Sequence, residues 1–573
     1  STKIWQRHAL AKACALAILS AGVVSNAGAV AAPGAALLTT YGTADAVALM
    51  SGTSWSSGYN SLWDNSETNS GSISAEINNT TYFSALTGTA GSYPVSITGN
   101  SILASAIANT GSYTSSTVPV LSLANSTDGI LSLNLQIFTG LTGGSPTDYL
   151  ASSSASATLD NTSKTAGTVY ITQSGLGSAN LSLSNNTMGA SVTLNSLDTN
   201  VVVATPSGYA STSKGSSTLS FGNTSNAMGD PSAPTAGSTG SVNLSNQQGV
   251  FNATGAAEVK SVMANVTVSD TAGVTPTLAN SISANANSIT ANTTNNAAVS
   301  VFRSTAASSA FTGTVGVTNL QSTTITLGND GTLMASVTGS GVSVDLRKGT
   351  GSTNVTGAVT VNDNKLSATA LGNAAGAQSV AGSIAAGNAI IFEGSSNITG
   401  ASTSSATDLT ASIGSGSSNA EADLLINSVQ RNSGNVFTAT LVAPAITSSL
   451  DKLDGAGSLT QSGNTLSASA TNNLAGNLIS AGQTASIGSI TASSVLLNMQ
   501  KNSTVTTLAK VEDSVISATV GATAVTVDGA VTLSSNTITA TAGANVLTAT
   551  VRVTFWGALA MTLTAGIGAV VGR

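Results

Sequence analysis

Histidine and cysteine occur once each in 573 residues, as His8 and Cys14. The rest of the chain has neither thiol nor imidazole, which excludes disulfides, His–Cys zinc centres, thiol nucleophiles and Ser-His-Asp triads from its body. Charge is almost as scarce. Asp, Glu, Lys and Arg together make up 7% of the chain, against roughly 25% in ordinary soluble domains. No Lys or Arg occurs between residues 13 and 163, and the net charge is −7. A nucleic-acid partner needs a basic face, and the sequence offers none. Aromatics are only 4%, too few to fill thick sandwich cores, while hydrophobic residues reach 41%. Disorder normally pairs low hydrophobicity with high net charge, so this composition reads as folded around Val, Leu, Ile and Ala.

What the chain has instead is repetition. Six decapeptides share one pattern: Asn100–Asn109, Asn186–Asn195, Asn287–Asn296, Asn364–Asn373, Asn464–Asn473 and Asn536–Asn545. Each opens and closes on Asn, carries Ile, Leu or Met near the third position and Ala at the fifth. Small or apolar residues alternate with Ser and Thr, the period-two signature of a β-strand. In Asn464–Asn473 the alternation predicts Leu466, Ala468 and Ala470 inward, with Thr465, Ser467 and Ser469 outward. The flanking asparagines are expected to take left-handed corners or to stack as amide ladders; plain turn propensity is the alternative. Asp-Gly pairs, as at Asp454-Gly455 and Asp528-Gly529, mark tight turns before further alternating runs.

The copies begin at 100, 186, 287, 364, 464 and 536, so the units span 72 to 101 residues. The predicted fold is all-β: an extended β-solenoid (β-helix-like) built from these irregular units, with tandem β-sandwich domains as the alternative. Short solenoid repeats turn every ~20–30 residues, so each unit is expected to hold several turns. Four regions follow: a signal peptide at 1–31, a non-repeat cap at 32–94, a repetitive β region at 95–551, and an apolar segment at 552–573. The leader has a basic start, an uncharged run over 13–24 and small residues before residue 32, as secretory signals do. Residues 553–572 are uncharged and about one bilayer span long, and read either as a membrane anchor or as terminal strands. The segment also resembles the sorting tails of bacterial surface proteins.

Catalytic and metal chemistry finds little footing. Asp451 with Asp454, Glu421 with Asp423, and Glu512 with Asp513 are close in sequence, and turn residues explain them better than a glycosidase setting. Asn329-Asp330-Gly331 and Asn362-Asp363-Asn364 resemble fragments of calcium loops, but neither supplies six to eight oxygen ligands. No cofactor, metal or catalytic residue is expected, and the chain is not read as an enzyme. The residues singled out are the twelve repeat asparagines.

In these repeats, in its acidic balance and in its leader, the chain resembles the Ser/Thr/Ala/Asn-rich β proteins of bacterial surfaces, the class of large adhesins and S-layer-like proteins. The resemblance implies a secreted cell-surface structural or adhesive protein whose partner is itself, in a layer or filament. A monomeric glycan-binding adhesin is the alternative, and a β-helical polysaccharide-degrading enzyme a more distant one. Low surface charge removes the usual protection of exposed strands against pairing, which favours self-association.

Overall fold

A computed structural model describes residues 54–55, 61–69, 71–87, 94–114, 129–139, 153–165, 167–174, 180–203, 209–211, 215–221, 234–269, 277–278, 281–304, 310–324, 332–346, 354–376, 387–393, 397–400, 409–413, 415–481, 489–521, 528–553 and 565–567. The expected signal peptide, most of the C-terminal apolar segment and the Asn329–Gly331 loop lie outside these residues. Among the described residues every element is a strand, as β-branched alternation without helical periodicity requires.

Five parallel sheets form the body. One passage of the chain shows the order: Ile130–Thr139 in sheet a, Ser153–Asp160 in sheet b, Val169–Ser174 in sheet c, Leu181–Ser184 in sheet d and Thr187–Val203 in sheet e. The chain visits the five sheets in that order six times, each strand pairing with its counterparts one circuit before and after. The pairing is in register with the repeat. Asn109 aligns with Asn195, Asn195 with Asn296, Asn373 with Asn473, and Asn473 with Asn545. Each 72–101-residue unit is therefore one circuit, not several turns, and its strands pair with neighbouring units, not with each other as in a self-contained sandwich. The expected count of turns fails because a circuit here holds five strands and long connections. Pairing also extends upstream of residue 95, since Ser61–Asn69, Ile73–Asn78 and Tyr82–Thr87 belong to sheets a, b and c.

The period is uneven because of what lies between sheet e of one circuit and sheet a of the next. After the second circuit the chain makes Gly215–Ser220 and Thr235–Gly240, and after the fourth Leu409–Ile413 and Gly416–Ala420. These strands form an antiparallel sheet on the outer face of sheet a. Leu219, Ala236, Leu409 and Ala411 pack there against Leu131, Leu133, Leu320 and Leu425. Covered on both faces, four of the sheet-a strands, Ile130–Thr139, Val242–Phe251, Val315–Thr324 and Leu424–Ser433, are buried throughout, which accounts for runs such as ILSLNLQIF without clean alternation.

Inside, the first half of sheet e faces sheet b. Its inward columns are Ile102, Met188, Ile289, Leu366 and Leu466 beside an all-alanine column, Ala104, Ala190, Ala291, Ala368 and Ala468, all buried. One large and one small column let the opposing sheets approach closely. Four of the scarce aromatics gather between the second half of sheet e and sheet a. There Phe302, Phe311 and Phe392 meet edge to face, with centroids 5.2–5.9 Å apart, and Tyr209 stacks on Phe311 at 5.1 Å.

Single left-handed residues turn the corners. Between sheets d and e they are Gly99, Asn185, Ala286, Asp363, Gly463 and Ser535, with φ of 53–70°. Between b and c they include Asn79, Ser261, Gly339, Ala443 and Asp513, with φ of 49–57°. The repeat asparagines are not the corner residues, as one of the two expected roles would have it. The residue before each opening asparagine turns the chain, which leaves the asparagine side chain pointing inward on the next strand. Alanine in this region is strained, whereas glycine is not. Ala286→Gly and Ala443→Gly should each raise stability by about 0.5–1 kcal/mol, read as an upward shift of the urea midpoint; an unchanged or lower midpoint contradicts the strain.

Candidate functional site

Carboxamides and hydroxyls make up nearly all of the buried polar side chains, and the carboxamides form continuous rows. Asn100, Asn186, Asn287, Asn364, Asn464 and Asn536 lie just past the d–e corner in successive circuits. Each Nδ2 donates to Oδ1 of the asparagine one circuit on, at 2.9–3.1 Å. The backbone N–H of the donor residue reaches the same oxygen at 2.9–3.3 Å. The other Nδ2 hydrogen turns back to a carbonyl of the preceding circuit, from Asn186 to Ile97, Asn287 to Leu183, Asn364 to Ala284, Asn464 to Val361 and Asn536 to Gln461, at 2.7–3.1 Å. An inner member of the row uses both donors and its acceptor.

The closing asparagines form a second row. Asn109, Asn195, Asn296, Asn373, Asn473 and Asn545 follow a position that sheet-e pairing skips, and each donates to the next at 2.8–2.9 Å. Their remaining hydrogens cross to sheet a, onto the carbonyls of Ile137, Gly249, Ser322 and Arg431 at 2.9–3.3 Å.

A third row answers them from sheet a. Gln248, Gln321, Gln430 and Gln500 each donate to the glutamine one circuit back, the row starting at Gln136, at 2.7–2.8 Å. Each glutamine also donates across to sheet e, onto the carbonyls of Ser196, Ala297, Ala374, Leu474 and Val546 at 2.9–3.3 Å. The exchange is reciprocal. Asparagine donates to the residue after glutamine, and glutamine to the residue after asparagine. The glutamine row runs opposite to the asparagine rows and ends on a carboxylate, Gln136 Nε2 donating to Glu67 Oε2 at 2.9 Å. This row escaped the sequence reading. Its signal is Asn-x-Gln at Asn134–Gln136, Asn246–Gln248, Asn319–Gln321 and Asn498–Gln500, with Ser428 replacing the asparagine before Gln430.

The acidic pairs are dispersed into structural roles. Asp451 is buried, and Asp454 pairs with Lys452 at 3.2 Å. Asp423 accepts from the Ser493 N–H and hydroxyl, both at 2.9 Å, while Glu421 is exposed. Glu512 pairs with Lys510 at 2.5 Å, and Asp513 turns a corner. On the outer face of sheet b, the Thr162 hydroxyl and N–H hold the Asp160 carboxyl below its usual range, and the Glu258 carboxylate raises Lys260 above its own. In the Asn362–Asn364 stretch, Asn362 Oδ1 accepts from the Ser462 N–H at 2.9 Å, Asp363 is the left-handed corner and Asn364 belongs to the first row. Among the described residues no three His, Cys, Asp or Glu side chains converge as a metal site would need, and no helix is long and apolar enough to cross a membrane.

Neither a family model, nor any curated protein, nor any solved structure matches the chain.

A ladder bond contributes about 1 kcal/mol net, but a buried amide left without its partner costs ~1–3 kcal/mol. Asn364→Asp removes two donors and sets a carboxylate against Asn464 Oδ1 and the Ala284 carbonyl. It should cost roughly 2–3 kcal/mol at neutral pH. Burial among acceptors raises the new carboxyl's folded pKa above its unfolded value, so part of the loss should return as pH falls and the group regains a donor. Urea midpoints at pH 7 and pH 4 check this; a deficit equal at both contradicts the donor argument.

Proposed function

We propose that the chain is a secreted structural or adhesive protein of a bacterial cell surface, an extended β-solenoid that assembles with itself into a layer or filament. One observation supports this above others: three rows of interior carboxamides join circuit to circuit through the stack, and among the described residues no three His, Cys, Asp or Glu side chains converge. The outer faces fit the same reading. The outward column of sheet d is Ser96, Ser182, Ser283, Thr360, Thr460 and Thr532, neutral hydroxyls from end to end. Such a face offers hydrogen bonds and little repulsion to a neighbouring copy.

The same hydroxyl column favours a second reading, a monomeric glycan-binding adhesin, because sugars are recognised by neutral donors and acceptors. A polysaccharide-degrading role has less support, since the carboxylates it would need are held in separate pairs and turns.

Negative-stain imaging of purified protein without ligand separates the first two readings. Ordered sheets or fibres should form spontaneously, and label on intact cells should decorate the envelope. A stable monomer that binds a glycan array would favour the adhesin instead.

A further inference from the structure

We propose that the interior between sheet a and the second half of sheet e binds ordered water, one molecule to a circuit: in the fourth circuit between Asn319 and Asn388, and in the fifth between Ser428 and Asn477.

The residues two before each row glutamine make a column of their own. Asn134, Asn246, Asn319, Ser428 and Asn498 align strand to strand on the inner face of sheet a. Opposite them on sheet e stand Thr199, Ser300, Asn388 and Asn477, also in register. The two columns face each other, since Asn134 Nδ2 donates to the Thr199 hydroxyl at 3.3 Å in the second circuit. The glutamine row and its crossing bonds lie on one side of this polar seam, and the core that holds Phe302 and Phe392 lies on the other. Asn319, Asn388, Ser428 and Asn477 are each at most 2% exposed.

Within each column a short ladder fixes how the amides are turned. Asn246 Nδ2 donates to Asn319 Oδ1, and Asn388 Nδ2 donates to Asn477 Oδ1 at 2.9 Å. Turning Asn319 or Asn477 over would set nitrogen against nitrogen and break the bond. Definite atoms are then left over. In the fourth circuit Asn319 Nδ2 and Asn388 Oδ1 are buried and reach no hydrogen-bond partner among the described residues; in the fifth, Asn477 Nδ2 and Ser428 Oγ are in the same position.

The fourth circuit thus leaves a donor on one wall and an acceptor on the other. The fifth leaves a donor facing a hydroxyl, which can play either part. Water accepts and donates through one atom and answers both levels. A cation would meet the N–H groups of Asn319 and Asn477, and an anion would meet the Asn388 oxygen. Buried water bridges roughly two to four groups of this kind, and such groups left unanswered cost more than one bond returns. Neighbouring circuits are ~4.8 Å apart, longer than a bond between two waters. Each molecule is therefore a separate bridge tying sheet a to sheet e.

A crystal structure of the full chain, at a resolution that shows ordered water, tests both sites. Two isolated peaks are expected. One should lie about 2.7–3.2 Å from both Asn319 Nδ2 and Asn388 Oδ1, the other at the same reach of Asn477 Nδ2 and Ser428 Oγ. Direct bonds between the facing side chains, featureless density between them, or a peak ringed by the short, many-oxygen shell of a metal ion overturns the proposal. Ser428→Asn adds a readout in solution. It brings to this column the residue that the circuits on either side carry as Asn319 and Asn498, supplies an acceptor for Asn319 Nδ2 and fills the space beside Asn477. Oxygen-17 relaxation dispersion counts long-lived internal waters. The count should fall by at least one molecule from wild type to the variant, with unchanged circular dichroism; an equal count contradicts the fifth-circuit site. If the variant does not fold, the wild-type density decides alone.

Discussion

The structure depends on the parallel, in-register pairing of each circuit with the next. Parallel strands need a crossover between them, and here the crossover is the rest of the circuit, four further strands in fixed order. Register is usually set by burial of one face, since a slip of one residue turns every side chain over. This chain adds a second lock. A circuit displaced by one residue would break all three amide rows together and leave buried donors facing apolar side chains. The columns of Ala, Leu and Ile specify which face is inside; the carboxamides specify which residue meets which.

That division explains how little aromatic or charged material the fold requires. Narrow columns of Ile, Leu and Ala fill most of the space between sheets b and e, with Phe437 an added ring on sheet b. Bulk also gathers in the Phe302, Phe311 and Phe392 cluster, where a second core opens against sheet a, and in the Phe221–Phe251 pair. The antiparallel strands after the second and fourth circuits then protect the outer face of sheet a. Its continuous apolar sequence is affordable only under that cover.

Much of this was legible in the sequence. The decapeptide alternation placed Leu466, Ala468 and Ala470 inside, where they are buried, with Thr465, Ser467 and Ser469 on the other face. The recurrence of Asn at both ends of the motif marked the residues that stack. What the repeat did not reveal was the circuit itself. Spacing between copies measures connections as well as strands, so a unit of one circuit looked long enough for several. The glutamine row stayed hidden for the same reason, because the distance from motif to glutamine jumps wherever antiparallel strands intervene, as between Asn186 and Gln248. The corner residues were misplaced by one position, since Gly, Asn, Ala, Asp and Ser all serve at the d–e corner and their only shared property is φ. Local propensity names residues that can turn; the inward asparagine decides which one must.

The reciprocal amide exchange also bears on how such a chain reaches its native state. No single circuit can satisfy its own ladder groups, so the smallest stable nucleus is a pair of neighbours, and growth beyond it gains one template face at a time. Ordering so many distant residues before any reward makes that first pair slow to form. A polypeptide threaded through a membrane channel would meet this demand naturally, each emerging segment condensing on the one already outside and drawing the remainder after it.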